Sequence, residues 1–118
     1  MLPPIYTTLR ASATVLSLVS NRIYRHGSAP QDVITPYVTW NVIAGVPENC
    51  LSEAPSIDRL PVQIDCWHTT DQGIETLATA VRDALEGSCH MTNILLDERE
   101  PETKLYRIGL QFDYWLDR

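Results

Sequence analysis

The chain has 118 residues, 44% hydrophobic and 20% charged, with a formal net charge of −6. This suits one globular domain rather than two, able to bury roughly two thirds of the surface its unfolded chain exposes. The acidic balance argues against non-specific nucleic-acid binding and against an anionic membrane surface, since both select basic patches, and no apolar run approaches the ~18 residues of a membrane span.

In chain order, Pro3 and Pro4 suit a helix start, where a missing N–H costs little. Ile5, Thr8 and Leu9 share a face, and Ser12 can cap a second turn carrying Val15, Leu16, Leu18 and Val19. Residues 4–20 therefore read as one bent helix or two short ones, with Asn21 as a left-handed stop. The Met-Leu-Pro-Pro start has neither a basic region nor a long apolar core, so no signal peptide is expected. Arg22–Arg25 reads as a short extended piece, and 26–36 as a loop whose Gly27, Pro30 and Pro36 fix turns. Residues 37–44 are rich in β-branched and aromatic types and read as a strand.

Residues 45–57 hold Gly45, Pro47 and Pro55 and read as a long loop, well beyond the usual hairpin length. Loops of that kind in small domains tend to be functional or disordered. Residues 58–69 read as a strand: Val62, Ile64, Cys66 and His68 point one way, Gln63, Asp65 and Trp67 the other. Asp71 is the expected N-cap of a helix over 71–86, in which Ile74, Leu77, Ala78, Val81, Ala84 and Leu85 form one apolar stripe. Gly87 can end it in the left-handed conformation. Strands follow over 93–97 and 104–116, the second holding a period of two from Tyr106 to Leu116. The sum is α+β: a mainly antiparallel sheet of four to five strands with two helical segments packed on one face.

The chemistry is sparse. Cys66 and His68 share a strand face, and Cys89 and His90 are adjacent, so four zinc-ligand types exist. No Cys-x-x-Cys knuckle is present and adjacent ligands fit a structural site poorly, so no metal is expected. A Cys–His catalytic pair lacks an orienting third group. The three cysteines have no framework spacing, and reduced folding in a cytoplasm is the simplest expectation. Asp97, Glu98, Glu100 and Glu102 read as a solvated, edge-protecting turn. Asp65 sits mid-strand and is expected to pair with Arg59, Arg107 or an arginine of a neighbouring chain. No phosphate loop, hydrolase elbow, zinc-protease or calcium motif occurs. The long loop and the aromatic surface from Trp40, Trp67 and Trp115 point to assembly more than catalysis, with no cofactor.

Six segments then form a pattern. Asn21-Arg22-Ile23-Tyr24, Ala29-Pro30-Gln31 and Pro36-Tyr37-Val38-Thr39-Trp40 come first. Val62-Gln63-Ile64-Asp65-Cys66-Trp67, Ala80-Val81-Arg82-Asp83-Ala84-Leu85, and Leu105-Tyr106-Arg107 with Phe112-Asp113-Tyr114-Trp115 follow. In order and spacing they resemble the tail-completion or tail-terminator family of long-tailed bacteriophages, prophages and phage-like gene transfer particles, over residues 5–116. The resemblance implies a non-enzymatic virion protein, assembled in the bacterial host cytoplasm, with a small sheet and helices on one side. It implies a ring, commonly a hexamer, on the head-proximal end of the tail tube. Such a ring stops tube polymerisation and forms the head–tail joining surface. Its partners are then itself, the tail tube protein and the head–tail connector or neck protein. DNA passes through the lumen without specific binding, and no membrane is involved.

On this reading Val46, Glu48, Asn49, Leu51, Glu53 and Trp115 are candidate interface residues. The acidic turn Asp97, Glu98, Glu100 and Glu102 is a candidate lumen lining that repels phosphates. Three alternatives stand beside it: a head-side neck connector or stopper, a small cytoplasmic ligand-binding domain or enzyme using Cys66 and His68, and an interaction module without a ring.

Overall fold

The computed structural model describes residues 3–25, 34–43, 46–50, 53–87 and 89–117, with the backbone alone at 46–50, 53–58, 96 and 115–117. Helices α1 (Ile5–Arg10) and α2 (Ala13–Val19) open the chain. Ser12 separates them and caps α2, its hydroxyl accepting from the Val15 N–H at 3.3 Å. The left-handed residue after α2 is Ser20, φ 56°, one position before the expected Asn21. Strands β1 (Ile23–Arg25), β2 (Tyr37–Val42), β3 (Val46–Cys50) and β4 (Glu53–His68) follow, then helix α3 (Asp71–Leu85) and strands β5 (His90–Arg99) and β6 (Tyr106–Asp117).

The six strands form one sheet in the order β1-β2-β4-β6-β5, with β3 also paired to β4. The sheet has six strands rather than four or five, and it is mixed: mainly antiparallel, as expected, but with β1 parallel to β2. Three helices are present: of the two readings of residues 4–20 the structure has the two short helices, and α3 is the second helical segment. Strand direction leaves no mark on composition, and the 26–36 connection is long enough to return the chain to its starting end.

Helix α3 packs on β4 and β6, and α1 and α2 pack beside α3. One side of the sheet thus receives Val38, Val62, Ile64, Cys66, Ile108, Leu110 and Phe112, sealed by Ile5, Leu9, Val15, Val19, Ile74, Leu77, Val81 and Leu85. The expected apolar stripe of α3 is the buried one, although Ala84 is only partly buried.

The stretch expected as a long loop, 45–57, instead carries β3 and the start of β4. Val42 lies opposite Val62 and Val46 opposite Arg59, so β2 and β3 line the same edge of β4 in succession. The offset between these two registers is the break between the two strands. Pro61 explains its position. Its carbonyl accepts from the Ile43 N–H at 2.8 Å, so its N points to the same side, where the partner strand is interrupted. A proline inside a central strand costs a ladder bond unless it faces such a gap.

β6 pairs β4 as far as Ile57 opposite Asp117. Val46, Pro47 and Glu48 of β3 lie opposite Arg59, Asp58 and Ile57, which β6 still pairs, so only the end of β3 and the first residues of β4 continue beyond it as a short two-stranded arm. Pro47 and Pro55 lie on strands with one side unpaired among the described residues, where proline is tolerated. The molecule measures 51 × 29 × 23 Å with a radius of gyration of 15.1 Å. A compact chain of this length would have a radius near ~13.5 Å, and a strand as long as β4 extends ~53 Å by itself.

At the β4–α3 corner the N-cap is Thr70, not Asp71: its hydroxyl accepts from the Gly73 N–H at 3.0 Å. Asp71 takes the first helical turn, where its charge suits the dipole. The His68 ring accepts from the Thr70 N–H at 3.1 Å and lies against Gly73, where a Cβ would overlap the ring. Helix α3 ends right-handed at Glu86, with the Glu86 N–H on the Arg82 carbonyl, and Gly87 does not adopt the left-handed conformation.

This corner gives a sign-reversing test. Gly73→Ala should destabilise by about 1–3 kcal/mol by overpacking against His68. In a His68→Ala background the same change should stabilise by about 0.5 kcal/mol, because alanine is the better helix former. Urea midpoints of the four proteins in the cycle check this.

Candidate assembly surfaces

The sheet side away from the helices carries a polar network built from alternate residues of β2, β4 and β6. Asp65 is 4% exposed. Its Oδ2 accepts from Arg107 Nη2 at 3.0 Å and its Oδ1 from Gln63 Nε2 at 3.0 Å. Gly109, opposite Asp65 in register, has no side chain to intervene, so Arg107 reaches across the diagonal from its place opposite Trp67. The guanidinium also lies 4.8 Å from the Trp67 ring centre. Trp67 stacks on Tyr37 at 5.7 Å and donates Nε1–H to Thr39 Oγ1 at 3.2 Å. Burial, and secondarily the Glu100 carboxylate, hold the Tyr37 phenol above its usual value, with Arg107 opposing. A second pair, Arg59 with Asp113 at 3.3 Å, extends the row. Of the three partners expected for Asp65, the structure selects Arg107.

The cysteine and histidine candidates do not converge. Cys66 is fully buried among core side chains, and burial drives its thiol strongly upward. Cys89 is buried with its thiol donating to the Leu85 carbonyl at 3.3 Å, and burial pushes it up to about 11. His68 is engaged at the helix corner, and His90 is exposed at the start of β5. Among the described residues no three His, Cys, Asp or Glu side chains gather as metal ligands would. Two buried protonated thiols and an arginine-neutralised carboxylate do not make a nucleophile with a base.

The acidic residues separate. Asp97, Glu98 and Arg99 belong to β5, and only 100–105 form the turn, closed by Lys104 at φ 61°. Asp97 pairs in register with Ile108 and points to the helix side, whereas Glu98 pairs with Arg107 on the outer side. Glu100 accepts from the Thr103 hydroxyl at 2.8 Å. Val46 and Glu48 lie on β3 opposite Arg59 and Ile57, level with β6, Asn49 and Glu53 lie on the arm beyond it, and Trp115 is opposite Arg59; their side chains are outside the described residues, as is Leu51 entirely.

The sequence reading missed a groove of about 160 Å³ between α3 and β5. Its walls include Ala78, Met91, Ile94, Ile108 and Leu110, and its rim Glu75, Arg82 and Asp97. Ile94 is 59% exposed there. Its signal was an isoleucine on an edge strand rich in acids.

The described residues form one sheet with two unlike edges, β1 and β5, and a short two-stranded arm at the end of β4. The sequence matches the family described as tail completion protein gp17 over residues 3–117. The chain belongs to that family, whose members are structural proteins of phage tails and not enzymes. A chain in the virion of a native gene transfer agent (GTA) particle shares the fold with a TM-score of 0.74 at 20% identity, covering 97% of this chain and 92% of that one. The bacteriophage SPP1 gp17 protein shares it with a TM-score of 0.55 at 16% identity, covering 92% and 84%. No curated protein matches the chain.

Two measurements test the buried groups. Asp65→Ala leaves Arg107 largely buried without its counter-ion and should cost about 3 kcal/mol, whereas Asp65→Leu with Arg107→Met should recover most of that loss. The Cys89 thiol keeps in the folded state a proton that the unfolded chain releases. Its contribution is fully present below pH 9.0 and is lost as pH rises toward about 11. Unfolding free energies of wild type and Cys89→Ala should therefore converge over that window, by roughly 2 kcal/mol.

Proposed function

We propose that this protein caps the head-proximal end of the phage tail tube, stops its polymerisation and forms the surface on which the head joins. It acts as a closed ring of six copies, touching the tail tube protein on one side and the neck connector on the other, in the virion. Family membership supports the structural, tail-completing role. The observation that carries the finer reading is the arm. A two-stranded ribbon is marginal alone in water, yet β3 and β4 continue past the end of β6. Such an element gains its stability from a surface outside its own subunit, and strand addition or packing on the tube supplies one.

A ring that conducts DNA must not hold it. The net charge of −6, with Glu100 and Glu102 at the tip of the β5–β6 hairpin, suits a repelling channel wall.

Purified tail tubes test the proposal. Wild-type protein should arrest tube elongation and render tails competent to join heads, read as a narrowed length distribution in electron micrographs. Replacing residues 49–56 by Asn-Gly closes a two-residue turn between Glu48 and Ile57, which already pair in register, and removes the arm. That variant should retain wild-type thermal stability within about 2 °C and lose capping. Capping by the trimmed protein at wild-type concentration would remove the arm from the contact.

A further inference from the structure

The pairing registers trace straight rows across the sheet from one edge to the other. Arg25 of β1 is level with Trp40, Ile64, Leu110 and finally Ile94 of β5. Ile23 is level with Val38, Cys66, Ile108 and finally Asp97. The β1 edge and the α3–β5 groove therefore lie at the same height at opposite edges. They also open to the same side. Arg25 stacks over Trp40, a core residue, and Asp97 shares the groove with α3 residues.

Their charges are opposite. Residues 1–31 contain Arg10, Arg22 and Arg25 and no Asp or Glu. The groove rim holds Glu75 and Asp97, neither in an ion pair among the described residues, while Arg82 bridges its own neighbour Asp83 at 3.2 Å. An apolar floor under an acidic rim fits one kind of side chain well: a long aliphatic stem ending in a cation.

We propose that the groove between α3 and β5 receives the β1 edge of a second copy, with Arg25 of that copy against Glu75 and Asp97. This rests on the ring-forming reading above and names the surfaces that join one subunit to the next. The contact is heterologous, because each copy offers its β1 edge to one neighbour and its groove to the other, the kind of contact that builds a ring when the rotation between copies closes. It is made by side chains rather than by a continued ladder. The β5 edge is irregular at Met91/Asn93 and at Ile94/Leu96, and such bulges obstruct strand addition.

Charge reversal tests the pairing. Arg25→Glu places like charges at the contact and should weaken self-association by about tenfold or more, and Asp97→Arg should do the same. Neither variant should form rings alone, in concentrated solution or on purified tail tubes. Mixed one to one, they should form rings again, because every contact between unlike copies then pairs opposite charges. Light scattering behind size exclusion and electron microscopy of capped tubes read the outcome. A misfolded variant could not be restored by mixing, so rescue also proves both folds.

Rings from either variant alone at wild-type concentration would overturn the pairing and leave the ring reading standing. Loss in both variants without rescue on mixing would also overturn it. Wild-type protein that forms no ring in solution or on tubes would overturn the ring reading and this contact with it.

Discussion

Strand β4 is the constraint from which the rest follows. It runs from Glu53 to His68, is paired on one edge by β2 and β3 in turn and on the other by β6, and leads directly into α3. A strand with neighbours on both edges has little freedom to bend, so its one proline decides where the lattice breaks. Pro61 has no N–H to give, and the break between Val42 and Val46 lies on the side its nitrogen faces. On its other side Pro61 stands opposite Asp113 without interrupting the β6 ladder. One residue thus divides the partner of this edge of β4 into two strands, β2 and β3, and only the far end of the second runs past β6.

The outer sheet side poses a separate energetic problem. A carboxylate 4% exposed on a sheet face without a helix over it would be costly alone. Asp65 is held by Arg107 and Gln63, and Arg107 also spreads over Trp67. Such a pair adds little net stability, since desolvation offsets most of its attraction. What it does supply is a penalty for error. A one-residue slip between β4 and β6 would move Asp65 into the apolar side and Ile64 out of it. The network also leaves that face polar, which discourages sheet-on-sheet stacking.

The parts legible in the sequence were those with a one-sided environment. The alternation of 106–116 and of Val62–His68 and the stripe of α3 each report one buried and one open side, and all three elements formed where read. Ser12 worked as a cap because its hydroxyl acts locally. The strands over 46–57 were not legible because Pro47 and Pro55 read as punctuation, although each lies on a strand with an unpaired side among the described residues. Asp71 competed with Thr70 for one cap; in the extended conformation Thr70 already sits where its hydroxyl meets the Gly73 N–H. Asp65 with Arg107 was one of three readable pairings, and register decided it. The groove was illegible because it joins α3 to β5 through tertiary packing, and Ile94 alone marked it.

Edges decide how such a sheet can associate. A sheet with two like edges pairs with itself in any order and has no reason to stop. Here the edges differ in charge, with arginines near β1 and carboxylates along β5, so copies meeting β1 to β1 or β5 to β5 bring like charges together. They differ in backbone as well, because the irregular β5 edge resists a continuous ladder. Only head-to-tail contact escapes both penalties. A head-to-tail contact between copies ends either in an open helix or in a closed ring, and the angle between successive subunits chooses. A contact made by an arginine stem in a groove fixes that angle more tightly than a sliding strand edge would, because the side chain fits one place.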